Sequence, residues 1–181
     1  MEPASHPNRT PHLIADAATL AAYVRDVAAG GHSWQAPEGQ LSLEAWLALG
    51  DDCNEGAYRL AARLGLPLVR LKELPSGADA TALLRPEVVR RLRAVPVKLF
   101  EGVVTVAMED PGSPDSLATL DFLCRQRVLP LVATARDIRE AIAEHYDKVE
   151  DRDVAHQLGL DPGASGHETT IQEAERLSRE K

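Results

Sequence analysis

Residues 94–108 read AVPVKLFEGVVTVAM, and the fold turns on how they are parsed. Val95, Val97 and Leu99 alternate with Pro96, Lys98 and Phe100; beyond Glu101 and Gly102 the alternation restarts, with Val104, Val106 and Met108 against Val103, Thr105 and Ala107. Period two on both sides of a glycine-containing break predicts a β-hairpin, because glycine supplies the positive φ that a tight turn needs. Pro96 has no N–H for a ladder, so it is expected at the start of its strand or on a sheet edge.

Glu109, Asp110, Pro111 and Gly112 follow, with Asp115 and Asp121 behind them. One or two such carboxylates could serve a magnesium ion with its phosphates. The same letters also spell a turn in which Asp110 accepts from nearby backbone N–H groups, and the turn is the favoured reading. Ser113, Pro114 and Asp115 fit N-cap, N1 and N2 of a helix with Leu117, Leu120 and Cys124 inward. RVLPLVAT at 127–134 reads as a strand. Thr134 and Asp137 then resemble a capping box, with Asp in place of Glu, opening a helix that carries Ile138, Ala141, Ile142 and His145 on one face.

Working back from the hairpin, LLRPEVVRRLR at 83–93 sets Pro86 in the first turn of a helix, with Val88, Val89 and Leu92 inward. KELPSGADATA at 72–82 is a loop and LPLVRL at 66–71 a strand. DDCNEGAYRLAARL at 51–64 is a helix with Asp51 or Asp52 as N-cap, an Ala57, Leu60, Ala61, Leu64 stripe and Gly65 as its stop. A short helix begins at Ser42, HSWQAPEGQ at 32–40 is a loop, and from Leu13 the helical spacing of Leu13, Ala17, Leu20, Val24 and Val27 runs up to Gly30.

This order predicts an α+β fold: a small mixed sheet of about four strands with helices on one side, preceded by a helical N-terminal region, and not a doubly wound dinucleotide fold. The expected organisation is a disordered start at 1–12, the helical region at 13–55, the α+β domain at 56–147 and an acidic flexible tail at 148–181. From residue 147 onward nine acids face five bases, half of the chain's net charge of −8, with one short helix expected from Thr170.

The net negative charge argues against a nucleic-acid polymer as partner, since such binding rests on Lys and Arg neutralising phosphates. The N-terminus has no apolar signal-peptide core and no apolar run reaches membrane-spanning length, so a cytoplasmic protein that is not membrane-integral, with reduced Cys53 and Cys124, is expected. No nucleotide, hydrolase or zinc motif is present, and the six histidines are scattered; no cofactor and no catalytic residue is assigned. One charge feature stands out. Arg85, Arg90, Arg91, Arg93 and Lys98 oppose only Glu87, a local +4. It is a solvated helix face, or it docks an acidic partner or a phosphate-bearing ligand, which guanidinium forks grip in two-pronged fashion.

LAARLGLPLVRL at 60–71, the segment at 83–123 and RVLPLVATARDIREAIAEHY at 127–146 together resemble the N-terminal domain of the type II secretion and type IV pilus assembly ATPases, the E-component family. The likeness lies in A-x-x-L-G-L-P-x-V-x-L, P-E-x-x-R-x-x-x-x-V-P-V, V-x-V-A-M-x-D-P and I-x-x-A-I-x-x-x-Y, in that order, across residues 56–147. The resemblance implies a non-catalytic docking or regulatory module that contacts a protein of the inner-membrane assembly platform. One branch of the family binds cyclic di-GMP through motifs opening R-L-G-x-x-L; here RLGLPLV at 63–69 copies the opening letters, lacks the closing glycine and has no second copy. The family's Walker-type motor is not in this sequence. Two functions follow: a protein-interaction module of a secretion, pilus or signalling system, or a cyclic di-GMP sensor in which Arg63, with Arg85, Arg90 or Arg91, holds phosphates.

Overall fold

The structure, a computed structural model, describes residues 10–30, 41–148 and 157–159. The expectations for residues 1–9, the loop at 32–40 and most of the tail beyond 148 lie outside these. The chain divides into two units, Met1–Tyr146 and Asp147–Lys181, and the elements below belong to the first.

The hairpin is as the alternation predicts: β3 (Ala94–Phe100) runs antiparallel to β4 (Val103–Met108), and Gly102 turns the chain at φ 75°. Pro96 sits against Val106, beside a register shift between Pro96 and Lys98. Thr105 Oγ1, fully buried in the facing strand, closes that irregularity by accepting from Lys98 N and donating to Lys98 O, both at 3.2 Å. Beyond β4, α6 (Pro114–Cys124) starts on the Ser113 cap and leads to β5 (Arg127–Val132), which pairs parallel to β4. Helix α7 (Ala135–Ile142) follows.

On the other side of β5 lies β2 (Leu68–Val69), and next to β2 a two-residue strand, β1 (Leu13–Ile14). The sheet order is β1-β2-β5-β4-β3, five strands in all, which leaves β3 and its proline on the edge. The α+β class with a small mixed sheet therefore holds. The fifth strand comes from a segment read as helix: Leu13 and Ile14 pair with Leu68 and Val69, and α1 (Ala17–Ala28) begins only after Asp16, whose Oδ1 accepts from Thr19 N at 2.7 Å.

Helices cover both faces of the sheet, not one. Consecutive strand residues belong to different clusters: Leu68 and Val132 pack with Trp46, Cys53 and Ala61, whereas Val69, Leu131 and Ile14 join the main core with Leu20 and Val24 of α1. The first cluster is roofed by α2 (Leu43–Ala48) and α3 (Glu55–Leu64). Every residue of β4 is buried, as a central strand covered twice must be. Each large side chain so enclosed contributes about 1.5–3 kcal/mol of transfer free energy.

Three local readings change. The stretch at 72–82 holds a single helical turn, α4 (Ala78–Thr81), seated against β3 through Gly77 N donating to Val97 O at 2.8 Å. Asn54, not Asp51 or Asp52, caps α3, its Oδ1 accepting from Ala57 N at 2.9 Å. Thr134 caps α7 as expected, accepting from Asp137 N at 3.2 Å, but the Asp137 side chain does not return to the cap; it turns into the protein and accepts from Leu71 N at 3.0 Å.

Candidate functional site

Helix α3 is held at its start by Asn54 and at its end by Gly65, which adopts the left-handed conformation at φ 66°. Gly56, Arg59, Leu60 and Arg63 recur on it at i, i+3, i+4 and i+7, one face of the helix. Facing them, the end of β4 presents Glu109 and Asp110, and these six residues line a hollow of about 410 Å³.

The hollow's charges are largely committed. Arg59 Nε donates to Glu55 Oε1 at 2.6 Å, one turn back on the same helix. Glu109 Oε2 accepts from Arg93 Nε at 2.9 Å, and Asp110 Oδ1 accepts from Gly112 N at 2.9 Å. That last bond is the turn expected of the acidic corner. Arg63 is exposed and forms no ion pair among the described residues. The lining thus holds two cations, Arg59 and Arg63, against two anions, Glu109 and Asp110. Such a balanced wall suits a mixed polar surface better than a polyanion, which two carboxylates would repel.

The five arginines singled out in the sequence are divided between the hollow and α5 with its flanks. Arg63 lines the hollow; Arg93 ends α5 (Pro86–Leu92) in the left-handed conformation and is tied to Glu109. Arg85, which precedes Pro86, and Arg90 and Arg91 near the end of α5 are exposed and stand outside the hollow lining; Glu87 is the acid of that helix. Sequence reasoning missed Arg59, although its i+4 relation to Arg63 could have marked it, and missed that the acidic corner would face α3.

Cys53 and Cys124 are both 3% exposed, and burial raises both thiols, that of Cys124 to about 11, so neither offers a thiolate nucleophile near neutral pH. Among the described residues no three of His, Cys, Asp and Glu gather closely enough to hold a metal ion. No helix among them is long and apolar enough to cross a membrane.

Residues 64–152 match the family described as the MshEN domain. Two curated proteins are similar over this part of the chain: the type IV pilus assembly ATPase PilB of Myxococcus xanthus, 32% identical over 87 residues, and PilB of Thermus thermophilus, 34% identical over 95 residues. The matches cover 48% and 51% of this chain but only 15% and 11% of those proteins. Among solved structures, MshE with cdg has a TM-score of 0.48 at 20% identity, covering 72% of this chain and 89% of that one. The N-terminal domain of XpsE has a TM-score of 0.47 at 21% identity, covering 72% and 86%.

Proposed function

We propose that this chain, which carries an MshEN-family domain over residues 64–152 and is homologous there to pilus assembly ATPases, is a non-catalytic docking module that recruits a protein partner of a secretion, pilus or signalling system. The unit we assign to docking is residues 56–147. The observation that carries this reading is the exposed arginine set around α5, Arg85, Arg90 and Arg91, on a helix whose one acid is Glu87. Guanidinium groups in water lose little on desolvation when a partner supplies carboxylates in matched geometry, and they set orientation and on-rate more than raw affinity. The buried, protonated thiols support a binding role over a catalytic one. We place the protein in the cytoplasm, recruited to the inner membrane by its partner.

The second reading, a cyclic di-GMP sensor, rests on Arg63, a guanidinium in a hollow without an ion pair among the described residues. Calorimetry with cyclic di-GMP at micromolar concentration separates the two. Heat that vanishes in Arg63→Ala supports the sensor. Absence of heat, together with a cross-linked cellular partner that is lost when Arg85, Arg90 and Arg91 are changed to Glu, supports docking. Retention of that partner by the triple variant would overturn the role given to α5.

A further inference from the structure

Two acids that the sequence assigns to helix caps are buried inside the protein. Asp52 lies in the connection from α2 to α3, its side chain 6% exposed, and Asp137 in the first turn of α7, 2% exposed. Asp137 Oδ2 takes the Leu71 N–H at 3.0 Å. The remaining oxygen on Asp137, Oδ1, and the Oδ2 of Asp52 are both shut off from water and, with both groups ionised, have no hydrogen-bond partner. A hydrogen bond between the two carboxyl groups contributes to both of their shifts, lowering Asp52 and raising Asp137. Ionised carboxylates are acceptors only, so this contact requires a proton; a single proton satisfies both orphaned oxygens, whereas two bare anions would repel across a dry gap.

Neighbouring charges decide where the proton sits. From the strand side come Arg70, Lys72 and Glu73. Arg70 Nη2 lies 3.9 Å from Asp52 Oδ1, and its Nη1 donates to Leu49 O and Glu73 Oε1, each at 3.2 Å. From α7 come Arg136 and Glu140, which pair with each other at 2.8 Å, while Glu140 also takes Lys72 at 3.3 Å. Cys53, beside Asp52, is neutral. Lys72 and Arg70 both act on Asp52, with Arg70 Nη2 at 3.9 Å, whereas of these cations Arg70 alone opposes the rise of Asp137, which makes Asp52 the anion and Asp137 the acid.

We propose that Asp52 and Asp137 share one proton and form a pH-gated latch that fastens the α2–α3 segment to the β2 and α7 end of the sheet. Burial raises Asp137 above the ordinary carboxylate value, with Leu71 N–H opposing and Asp52 adding to the rise. Burial also works to raise Asp52, but its own backbone N–H, the Asp137 hydroxyl, Lys72 and Arg70 outweigh it and the net shift is downward. The signs give the window. The Asp137 contribution is complete below 3.8 and is lost as pH rises through its folded value; the Asp52 contribution is present above 3.8 and is lost as pH falls through its own. Between the two steps the latch holds, and on the alkaline side it loosens. Asp137 is anchored in a capped helix and by Leu71, so the relief falls on the Asp52 loop, and with it on α3, which supplies Gly56, Arg59, Leu60 and Arg63 to the hollow.

Trp46 reports on that movement: it is fully buried under α3 and its Nε1 donates to Asn54 O at 2.8 Å, two residues after Asp52. The experiment uses the full chain with Trp34→Phe, so that Trp46 is its one tryptophan, and follows emission and thermal midpoint from about pH 4.5 to about pH 8.5. The parent is expected to show a red shift and a falling midpoint as pH rises. Asp137→Asn carries a permanent donor toward Asp52 and keeps an oxygen for Leu71 N, so both changes should disappear and the midpoint at the alkaline end should exceed that of the parent. Asp52→Asn is the second variant, donating in the opposite direction, and is likewise expected to flatten the response. A parent whose Trp46 emission does not move with pH, or a folded Asn variant of either residue that keeps the parent's full response, would overturn the latch.

Discussion

Arg93 Nε donates to Glu109 Oε2 at 2.9 Å while Glu109 N donates back to the Arg93 carbonyl at 3.2 Å, a two-way tie just beyond the Ala94 and Met108 pair of the hairpin. The guanidinium that the sequence offered as an anion ligand is therefore occupied by the protein's own acidic corner. Both side chains are more than a third exposed, 45% and 38%, so the pair is screened by water. Arg93→Ala is expected to cost under about 1 kcal/mol in urea unfolding and to leave partner capture unchanged. A larger loss of capture than in Arg90→Ala would place Arg93 in the interface after all.

The hairpin core gives a sharper test. Val106 is fully buried in the central strand, and Val106→Asp places an unpaired charge there, costing several kcal/mol against a total stability of about 5–15 kcal/mol. Loss of the folded far-ultraviolet dichroism spectrum is expected. By contrast Asp110→Ala removes only the 2.9 Å bond to Gly112 N and should cost about 1 kcal/mol. An Asp110→Ala protein of unchanged stability that had lost a divalent-ion affinity would reverse the turn reading of this corner.

Gly65 ends α3 at φ 66°, and a Cβ placed on it would meet nothing within 4 Å. The cost of Gly65→Ala is then conformational alone, about 1 kcal/mol, read as a drop in thermal midpoint.

At alkaline pH a different group takes over. Burial pushes the Tyr23 hydroxyl from 10.0 up to about 12, against the pull of Arg127. The neutral phenol is favoured in the folded state, so its contribution is complete below pH 10 and declines as pH rises toward about 12. Tyr23→Phe should remove part of the stability loss between these values, measured as denaturation midpoints on either side of pH 10. An identical alkaline loss in both proteins would show that the Tyr23 ring is not the titrating element.

Much of the fold was legible because its signals are short in range. The period-two runs around Gly102, Pro86 in a first turn, Ser113 ahead of Pro114 and Gly65 at a helix end each act within a few residues, and each appears where the sequence placed it. Leu13 and Ile14 were read as helix because two residues cannot show a period and they adjoin the helical spacing that begins properly at Ala17; only the neighbouring Leu68 and Val69 make them a strand. The candidate site was legible in part: Arg63 was singled out, but its neighbours Glu109 and Asp110 arrive from another element.

By itself, then, the sequence determined the α+β class, the hairpin, most caps and the family resemblance over residues 64–152, all of which rest on local chemistry or on ordered motifs. Tertiary structure alone decided that helices cover both faces of the sheet, that α3 faces the acidic corner and that Asp52 and Asp137 are buried. The physical reason is common to the three. An exposed acid near a helix start and a buried acid paired across the fold are written with the same letter, and which of the two it becomes depends on burial and distant partners that no local pattern carries.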